Sequence, residues 1–528
     1  MMATLADLLG DKTFNSADFD SHSFLPILKN PESEKPARNE LVIEKNLKIN
    51  MMPKEITILF LTLLFGPLFR ISARAQEERP NIILIMTDDQ GWGETGYYHH
   101  PVLKTPNLDK MAENGLRFDR FYAGAPVCSP TRASIMTGRS CVRSGVPSHG
   151  YALRKQERVL PQALKEIGYA TGHFGKWHLN GLRGPGVPIF KEDTHSPGEF
   201  GFDSWLSVSN FFDINPILSR NGDFEEFEGT SSAILVDEAV KFIESTIKNK
   251  QPFFAVIWDG SPHSPFVATE EDMKELNDLE PKSRNHYGEL VAFDRSLGTL
   301  RSKLRELKVA NNTLIWYCSD NGGLPGIEPE TVGGLRGNKG DVWEGGIRVP
   351  CVIEWNGHIK PDITSYPATT MDIFPTILDI LGMSTDHMLQ PVDGFSIKPL
   401  LENQKLKERT KPIPFIFQGK GALIDNGFKL VATNISQGTF ELYNLVADKT
   451  ESNNISNKNQ ETFEQMKKQF IKWHESVENS VSGKDYPEGK VNPDEPESHF
   501  WVDDPRYENF SKEYGNRPEY SGVVKKKK

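Results

Sequence analysis

Three short runs of almost unbroken apolar residues mark the chain: NIILIMT at 81–87, FFAVIW at 253–258 and TLIWYC at 313–318. Each is bounded by polar or turn-forming residues, the pattern of a strand buried on both faces of a parallel sheet. Between them, apolar positions recur at helical spacing over 105–114, 161–167, 232–247 and 286–307. Strands alternating with helices predict an α/β layered fold. Past Pro412 the texture changes. Short strand-like pieces at 414–417, 428–432 and 440–444 are separated by turns containing Gly419, Asn426-Gly427 and Gly438, and a helix over 461–478 follows. This predicts a smaller C-terminal α+β subdomain over 412–481. Residues 482–528, rich in Pro, Tyr and acids and ending in Lys525–Lys528, predict an irregular tail.

Ahead of the first strand lies a different apolar run, ITILFLTLLFGPLF at 56–69, with Lys54 before it and Arg70, Arg74 and Ala-Arg-Ala at 73–75 after it. A membrane-spanning helix needs about 20 apolar residues, so this run is short for one. A basic start, an apolar middle and an A-x-A end are the parts of a secretory signal peptide. The reading is a signal peptide over 51–75, with Met51-Met52-Pro53-Lys54 as a natural start, and a secreted or periplasmic protein without a stable membrane anchor. The leader at 1–50 carries TLADLLG at 4–10, which reads like TILDILG at 376–382. Asp20, Ser23, Pro26 and Asn30 then repeat the spacing of Asp393, Ser396, Pro399 and Asn403. One partial copy is not a solenoid. The leader is read as a fragment of a related chain's late region, joined by a misassigned start or a gene fusion, which leaves 76–411 as the main domain.

Composition narrows the classes. Of 528 residues 37% are hydrophobic, too few for a multi-span membrane protein, and 10% are aromatic, too many for a wholly disordered one. A formal charge of −11 disfavours nucleic acid as a general partner. Four cysteines, Cys128, Cys141, Cys318 and Cys351, build no disulfide scaffold, so a core must hold the fold.

Chemistry collects at the strand ends. Asp88-Asp89 follow the first strand and Asp320-Asn321-Gly322 the third. Ligands of open α/β sheets bind at the carboxyl ends of strands, so these side chains could converge. Three carboxylates and an amide oxygen form a hard, all-oxygen set suited to Ca²⁺ or Mg²⁺ rather than Zn²⁺. Taken alone, an Asp-Asp pair is usually a turn or a helix cap. The second piece is CSPTRASIMTG at 128–138. Pro130 suits a first helical turn, which places Cys128 at a helix N-terminus, where the dipole lowers a thiol's pKa and attracts anions. Arg132, one turn on, faces the same site.

With Cys128-Ser129-Pro130-Thr131-Arg132 matching C-x-P-x-R, the chain resembles the type I sulfatases from about Pro80 to Ser456. The other matching blocks are RPNIILIMTDDQGWG (79–93), GKWHL (175–179), PHSP (262–265), SDNG (319–322), LRGNKGDVWEGGIRVP (335–350), DGFS (393–396) and ELYNL (441–445), in the family's order. The resemblance implies an alkaline phosphatase-like fold, a large mixed but mostly parallel sheet between helices, and a sulfuric ester hydrolase. It implies that a formylglycine-generating enzyme oxidises Cys128 to formylglycine, and that one Ca²⁺ per chain is held by Asp88, Asp89, Asp320, Asn321 and residue 128. The hydrated aldehyde, a gem-diol, would attack sulfur and expel the alcohol, leaving a covalent sulfate ester that collapses when the second hydroxyl loses its proton. Lys176 and Lys339 would bind sulfate oxygens, His263 would be the general acid at the leaving oxygen, His178 would assist breakdown of the sulfated intermediate, and Arg132 would orient the diol and balance the carboxylates.

The rival enzyme is a formylglycine-dependent phosphonate or phosphate monoester hydrolase on the same fold. Zinc phosphatases of this architecture need His-rich metal sites, and no His adjoins either Asp pair. His99-His100 read as a surface turn that could reach substrate, while His149, His173 and His195 are candidates for a substrate pocket. The long loop-like stretch 182–216, which includes Asn210-Phe211-Phe212-Asp213, is the expected seat of specificity. By analogy with bacterial relatives, the expected substrate is a sulfated carbohydrate: a polysaccharide of ulvan, carrageenan or glycosaminoglycan type, or its oligosaccharides.

Overall fold

The computed structural model describes residues 79–527, so the leader and the signal-peptide reading lie outside the described residues. In chain order the strands of the main sheet and its margin are β1 (Asn81–Thr87), β2 (Leu116–Tyr122), β3 (Ala170–Lys176), β4 (Leu182–Arg183), β5 (Ser204–Val208), β6 (Ile217–Arg220), β7 (Asp223–Glu226), β8 (Phe253–Trp258), β9 (Thr313–Ser319), β10 (Arg348–Glu354), β11 (Asp362–Thr364) and β12 (Ala368–Thr369). Eleven of them, all but β4, form one sheet in the order β11-β2-β10-β9-β1-β8-β3-β5-β6-β7, with β12 also on β2. The five central strands, β9-β1-β8-β3-β5, are mutually parallel, and the flanks turn antiparallel through β10 and β6.

The unbroken apolar runs have a simple cause. Ile82, Leu84 and Met86 point into one core layer with Phe254, Val256, Trp258, Leu314 and Trp316. Ile83 and Ile85 point into the other with Phe253, Ala255, Ile257, Ile315 and Tyr317. Alternation is present, but both faces are dry, so every position must be apolar. Helices α1 (Pro106–Asn114), α4 (Ser231–Lys248) and α5 (Pro281–Glu306) cover the second face. Helices α2 (Cys128–Thr137), α3 (Leu160–Glu166) and α6 (Ile373–Ile380) cover the first. The large mixed, mostly parallel sheet between helices is the fold the sequence implied.

The smaller C-terminal sheet is antiparallel, β13 (Ile413–Phe417), β14 (Lys420–Asp425), β15 (Phe428–Asn434) and β16 (Thr439–Asn444), with α7 (Gln460–Val481) on one face. Strand β14 was not expected, because the sequence between 417 and 428 showed only turns, at Gly419 and at Asn426-Gly427. Gly421 is there for packing: a Cβ would lie 2.5 Å from the Phe470 ring of α7.

The expectation of an irregular tail is corrected. Residues 482–527 include β17 (His499–Phe500), paired with β4, and helices α8 (Glu508–Tyr514) and α9 (Pro518–Lys527). Trp501, Tyr507, Phe510 and Tyr520 bury themselves against Leu182, Val187 and Ile217. The tail's polar composition hid this, since four spaced aromatic rings suffice to dock it. Among the described residues no helix is long and apolar enough to cross a membrane.

The DGFS block has a structural task. Buried Asp393 accepts from Ser140 N–H (2.7 Å), Arg143 Nε (2.8 Å) and Nη2 (3.2 Å), and Trp473 Nε1 of α7 (2.8 Å). Burial pushes its carboxyl up, but the Arg143 charge and these bonds hold it below the usual range. Asp393→Ala is therefore expected to cost about 3–5 kcal/mol in urea unfolding, because a buried Arg143 loses its counter-charge. Since the native pKa is depressed, that contribution is present above pH ~4 and is lost on acidification.

Candidate active site

Helix α2 delivers the first group. All ten of its residues are buried, with Ala133, Ile135 and Met136 in the core, and Gly138 at φ +68° ends it. Cys128 is its first residue, at the N-terminus as the motif suggested. The expectation of a depressed thiol is corrected: burial pushes the Cys128 thiol up, only partly offset by the Lys176 and Lys339 charges. Desolvation outweighs the helix dipole here.

Asp88-Asp89 and Asp320-Asn321 do converge. One carboxylate oxygen each from Asp88 and Asp320 lies within 4.8 Å of the other and of Cys128 Sγ, and Asp88, Asp89 and His263 form a second such group. Asp89 N–H donates to Asp320 Oδ1 (3.0 Å), and Asn321 Nδ2 donates to Asp89 Oδ1 (2.8 Å). Asp89 adopts φ +70°, a left-handed backbone that costs a non-glycine residue free energy and is found at sites where geometry is imposed. Gly322 explains why the second pair ends in glycine, since a Cβ would sit 1.8 Å from the Gly345 carbonyl oxygen.

The residues fit a divalent cation. Asp88 Oδ1 and Asn321 Oδ1 are buried with no hydrogen-bond partner, oxygens that a hard cation would satisfy. Burial, together with the negative charge of Asp88, raises the Asp320 carboxyl to about 7 despite Arg132, a sign of crowded negative charge. Asp88 goes the other way: burial pushes it up, but Lys176, His263, Arg132 and Lys339 together hold it far below the usual carboxylate range.

Cations ring the carboxylates. Lys176 ends β3 and its Nζ bonds Asp88 Oδ2. Gly175 before it, at φ +107°, lets β3 close on β8, because a Cβ would lie 2.1 Å from the Trp258 carbonyl oxygen. Lys339 Nζ pairs with Asp89 Oδ1 at 2.5 Å, and its loop is tied down by Gly340 N–H to Pro126 O (2.9 Å), two residues before Cys128. Burial lowers the Lys339 ammonium, but Asp89, Cys128 and Asp88 more than reverse this and raise it. Arg132, fully buried, donates to Asp320 Oδ2 (3.0 Å) and to the Lys176 carbonyl (2.8 Å), lies 3.7 Å from Asp88 Oδ2 and stacks on Trp258.

The histidines divide. His263 sets Nδ1 on the Ser264 carbonyl (2.6 Å) and turns Nε2 toward Asp89 Oδ2 (3.9 Å). Burial, then the Lys339 charge, lowers it to about 4. His178, at φ +54°, is buried with both ring nitrogens unpartnered, and burial, then Lys176 and Arg132, holds it well below the usual range. His149 lies within the electrostatic reach of Lys176 and Lys339. His173 and His195 are buried and held by protein partners. His173 bonds Ser207 and packs edge-on against Trp177, Phe202 and Trp258, while His195 pairs with Glu495 (2.9 Å). The surface-turn reading holds for exposed His99 but is corrected for His100, which is buried with its ring bonded to Glu330 O (3.0 Å) and Leu103 N–H (2.9 Å).

Two aromatic residues join the site, Phe211 from the stretch expected to carry specificity and Trp258 from the end of an expected strand. Phe211 stacks on His263 with centroids 4.5 Å apart and planes within 10°, and Trp258 backs Arg132. Behind them Asp213, Asp259 and Glu289 form a buried carboxylate group, and Asp213 and Glu289 line a cavity with room for about one water. Burial, then mutual repulsion, raises Asp213 and Glu289 well above the carboxylate range. Between unfolded and folded pKa the native state binds more protons, so stability falls as pH rises through that window. Glu289→Gln is expected to flatten the decline in melting temperature from pH 5 to 8.

Comparison with known proteins agrees with the geometry. The Sulfatase family model matches residues 80–383, and N-sulphoglucosamine sulphohydrolase, C-terminal, matches 338–476. N-acetylgalactosamine-6-sulfatase of Sus scrofa is 34% identical over 375 residues, covering 64% of this chain and 69% of that protein. Arylsulfatase A of Homo sapiens is 31% identical over 365 residues, 61% of this chain and 68% of that one. The crystal structure of Ps i-CgsB in complex with k-i-k-neocarrahexaose superposes with a TM-score of 0.68 at 24% identity, covering 85% of this chain and all of that one (100%), a likeness of fold. With the family model spanning more than half its length, the chain belongs to the sulfatase family and is a sulfuric ester hydrolase.

Proposed function

We propose that this chain, with Cys128 matured to formylglycine by a formylglycine-generating enzyme, hydrolyses sulfate esters on a sulfated polysaccharide or its oligosaccharides. The observation that carries the reading is the convergence of Cys128, a carboxylate cluster with two unpartnered oxygens, and two lysines at one helix mouth. The relative named for N-acetylgalactosamine-6-sulfate and the neighbour bound to neocarrahexaose support a glycan substrate. The apolar run and A-x-A end at 51–75 support export to the periplasm or medium.

Asp88, Asp89, Asp320 and Asn321, with residue 128, would hold one Ca²⁺. Bound there, the ion supplies positive charge against a sulfate oxygen and the nucleophile. Formylglycine supplies, once hydrated, a hydroxyl nucleophile. The chain's own residues do the rest. Lys176 and Lys339 each have donors left over after their carboxylate contact and offer them to sulfate oxygens. Arg132 neutralises Asp88 and Asp320 from below. His178, neutral and unpartnered, is free to accept a proton, and His263 Nε2, 3.9 Å from Asp89 Oδ2, would give one to the leaving oxygen.

His263→Ala is expected to lower kcat on a sugar sulfate by ~10²–10³-fold, and far less on a nitrophenyl sulfate whose leaving group needs no proton. Because free His263 titrates near 4, its protonated fraction falls tenfold per pH unit above that value, so kcat/KM on the sugar sulfate declines as pH rises. The variant loses that slope. The reading as a whole is tested by sulfate release from defined sulfated oligosaccharides against turnover of phosphonate and phosphate monoesters by the same preparation. Preference for the phosphorus esters would make it the rival hydrolase.

A further inference from the structure

Arg183 stands apart from the other arginines. Every other arginine among the described residues donates to an acceptor in the protein. The Arg183 guanidinium has no hydrogen-bond or ion-pair partner among the described residues; it lies over the Phe500 ring, 5.1 Å to the centroid. A cation left without a counter-charge, yet held in place by an aromatic face, is preorganised for an external anion.

Its position is informative. Arg183 lies in β4, seven residues after Lys176, and pairs in register with Phe500 of β17, so the docked tail supplies the ring that braces it. Its stem crosses Gly150, where a Cβ would fall 2.5 Å from Arg183 Cγ. Gly150 N–H in turn donates to Oγ of Ser129 (2.9 Å), the neighbour of Cys128. His149, one residue before Gly150, is lowered by burial and then by the charges of Arg183, Lys339 and Lys176, so Arg183 shares a field with both lysines of the site. Phe500 is 42% exposed and Tyr151 39%, two large aromatic faces open to solvent on this side.

Resting on the sulfatase reading above, we propose that Arg183, braced by Phe500 and flanked by His149, anchors a second anion subsite. It takes a carboxylate or a second sulfate carried by the sugar being desulfated or by its neighbour, so the preferred substrate bears two anionic groups. A guanidinium fork grips either group with two parallel hydrogen bonds, which a point charge cannot do. Phe500 and Tyr151 offer flat apolar faces to the sugar rings between the two anions.

The test pairs Arg183→Ala and Arg183→Lys with three substrates of equal ring number: a monosulfated neutral disaccharide, a disulfated one, and a monosulfated one bearing a uronate. In Arg183→Ala the ratio of kcat/KM on a doubly anionic substrate to that on the neutral-sugar one should fall at least tenfold, through KM rather than kcat. Arg183→Lys should recover only part of it, and Phe500→Ala should lower the ratio in the same direction. Whether the uronate or the disulfated substrate loses more identifies the second group. A ratio unchanged within twofold for both overturns the proposal. Calorimetric binding of the same sugars to Cys128→Ser protein, with and without Arg183→Ala, decides the point without turnover. A wild type that binds them yet releases no sulfate would instead refute the sulfatase reading.

Discussion

Cys128→Ala protein, expressed beside wild type in a host that converts the motif cysteine, is expected to fold normally and to lose sulfate-ester turnover by on the order of 10⁴–10⁶-fold. The size follows from what the change removes. A nucleophile that forms a covalent bond has no substitute among the neighbouring groups: His178 and His263 are buried or turned to carbonyl and carboxylate partners, and Arg132 is engaged with Asp320. The binding apparatus stays. Lys176, Lys339 and the carboxylates owe their positions to β3, the 335–346 loop and the strand ends, not to the Cys128 side chain. Affinity for inorganic sulfate or a sugar sulfate, read by calorimetry, should therefore stay near the wild-type value while kcat collapses. Folding is protected because α2 is anchored by Ala133, Ile135 and Met136, and the truncated thiol is a small group at the helix's open end. Turnover within tenfold of wild type, with formylglycine verified in the parent by intact mass, would remove residue 128 from the chemistry.

How much of this could be read from the chain depended on the physics of each part. Strands buried on both faces advertise themselves, and β1 and β8 fall on the residues their apolar runs marked out. Helices α1 and α4 lie within one residue of their periodic stretches. Helix α5 begins five residues before the expected 286, because Pro281 opens it with a turn whose Lys282, Arg284 and Asn285 carry no apolar period. Strand β14 and the tail escaped for the opposite reason. Their stability comes from long-range packing, of Gly421 under Phe470 and of Trp501 against Leu182, which no local pattern encodes. At the site, the ionisable groups were legible because motif and chemistry coincide. Their electrostatic state was not. The helix dipole argued for a low thiol pKa at Cys128, and only the depth of burial shows that desolvation reverses it. Phe211 and Arg183 lie in the stretch 182–216 marked for specificity, but their partners, His263 and Phe500, emerge only when segments distant in sequence are folded together.

The second large effect concerns the cation, and two isosteric changes separate its causes. Asp88→Asn and Asp320→Asn are both expected to lose the bound divalent ion, measured by elemental analysis of purified protein, and with it on the order of 10³-fold in kcat/KM, since the ion contributes several kcal/mol of charge stabilisation. Their metal-free stabilities should move in opposite directions. Asp88 is held far below its usual pKa because Lys176 and Arg132 face it, so as an anion it stabilises the fold at any pH above ~4. Removing its charge leaves buried Lys176 without its ion-pair partner, while Arg132 keeps Asp320, a loss of about 3–5 kcal/mol. Asp320 is the reverse case. Burial and the charge of Asp88 raise it to about 7, so its ionisation at pH 8 destabilises the metal-free chain. The amide oxygen introduced by Asp320→Asn would still accept from Asp89 N–H, and Arg132 gives up its bond to Asp320 Oδ2 but keeps Asp88 as a counter-charge, while the repulsion is shed. In the presence of chelator at pH 8, Asp88→Asn should therefore melt below wild type and Asp320→Asn at or above it. Should both variants keep a stoichiometric ion, the carboxylates at the ends of β1 and β9 would not be its ligands. Should both melt below wild type, the repulsion inferred between Asp88 and Asp320 would not exist.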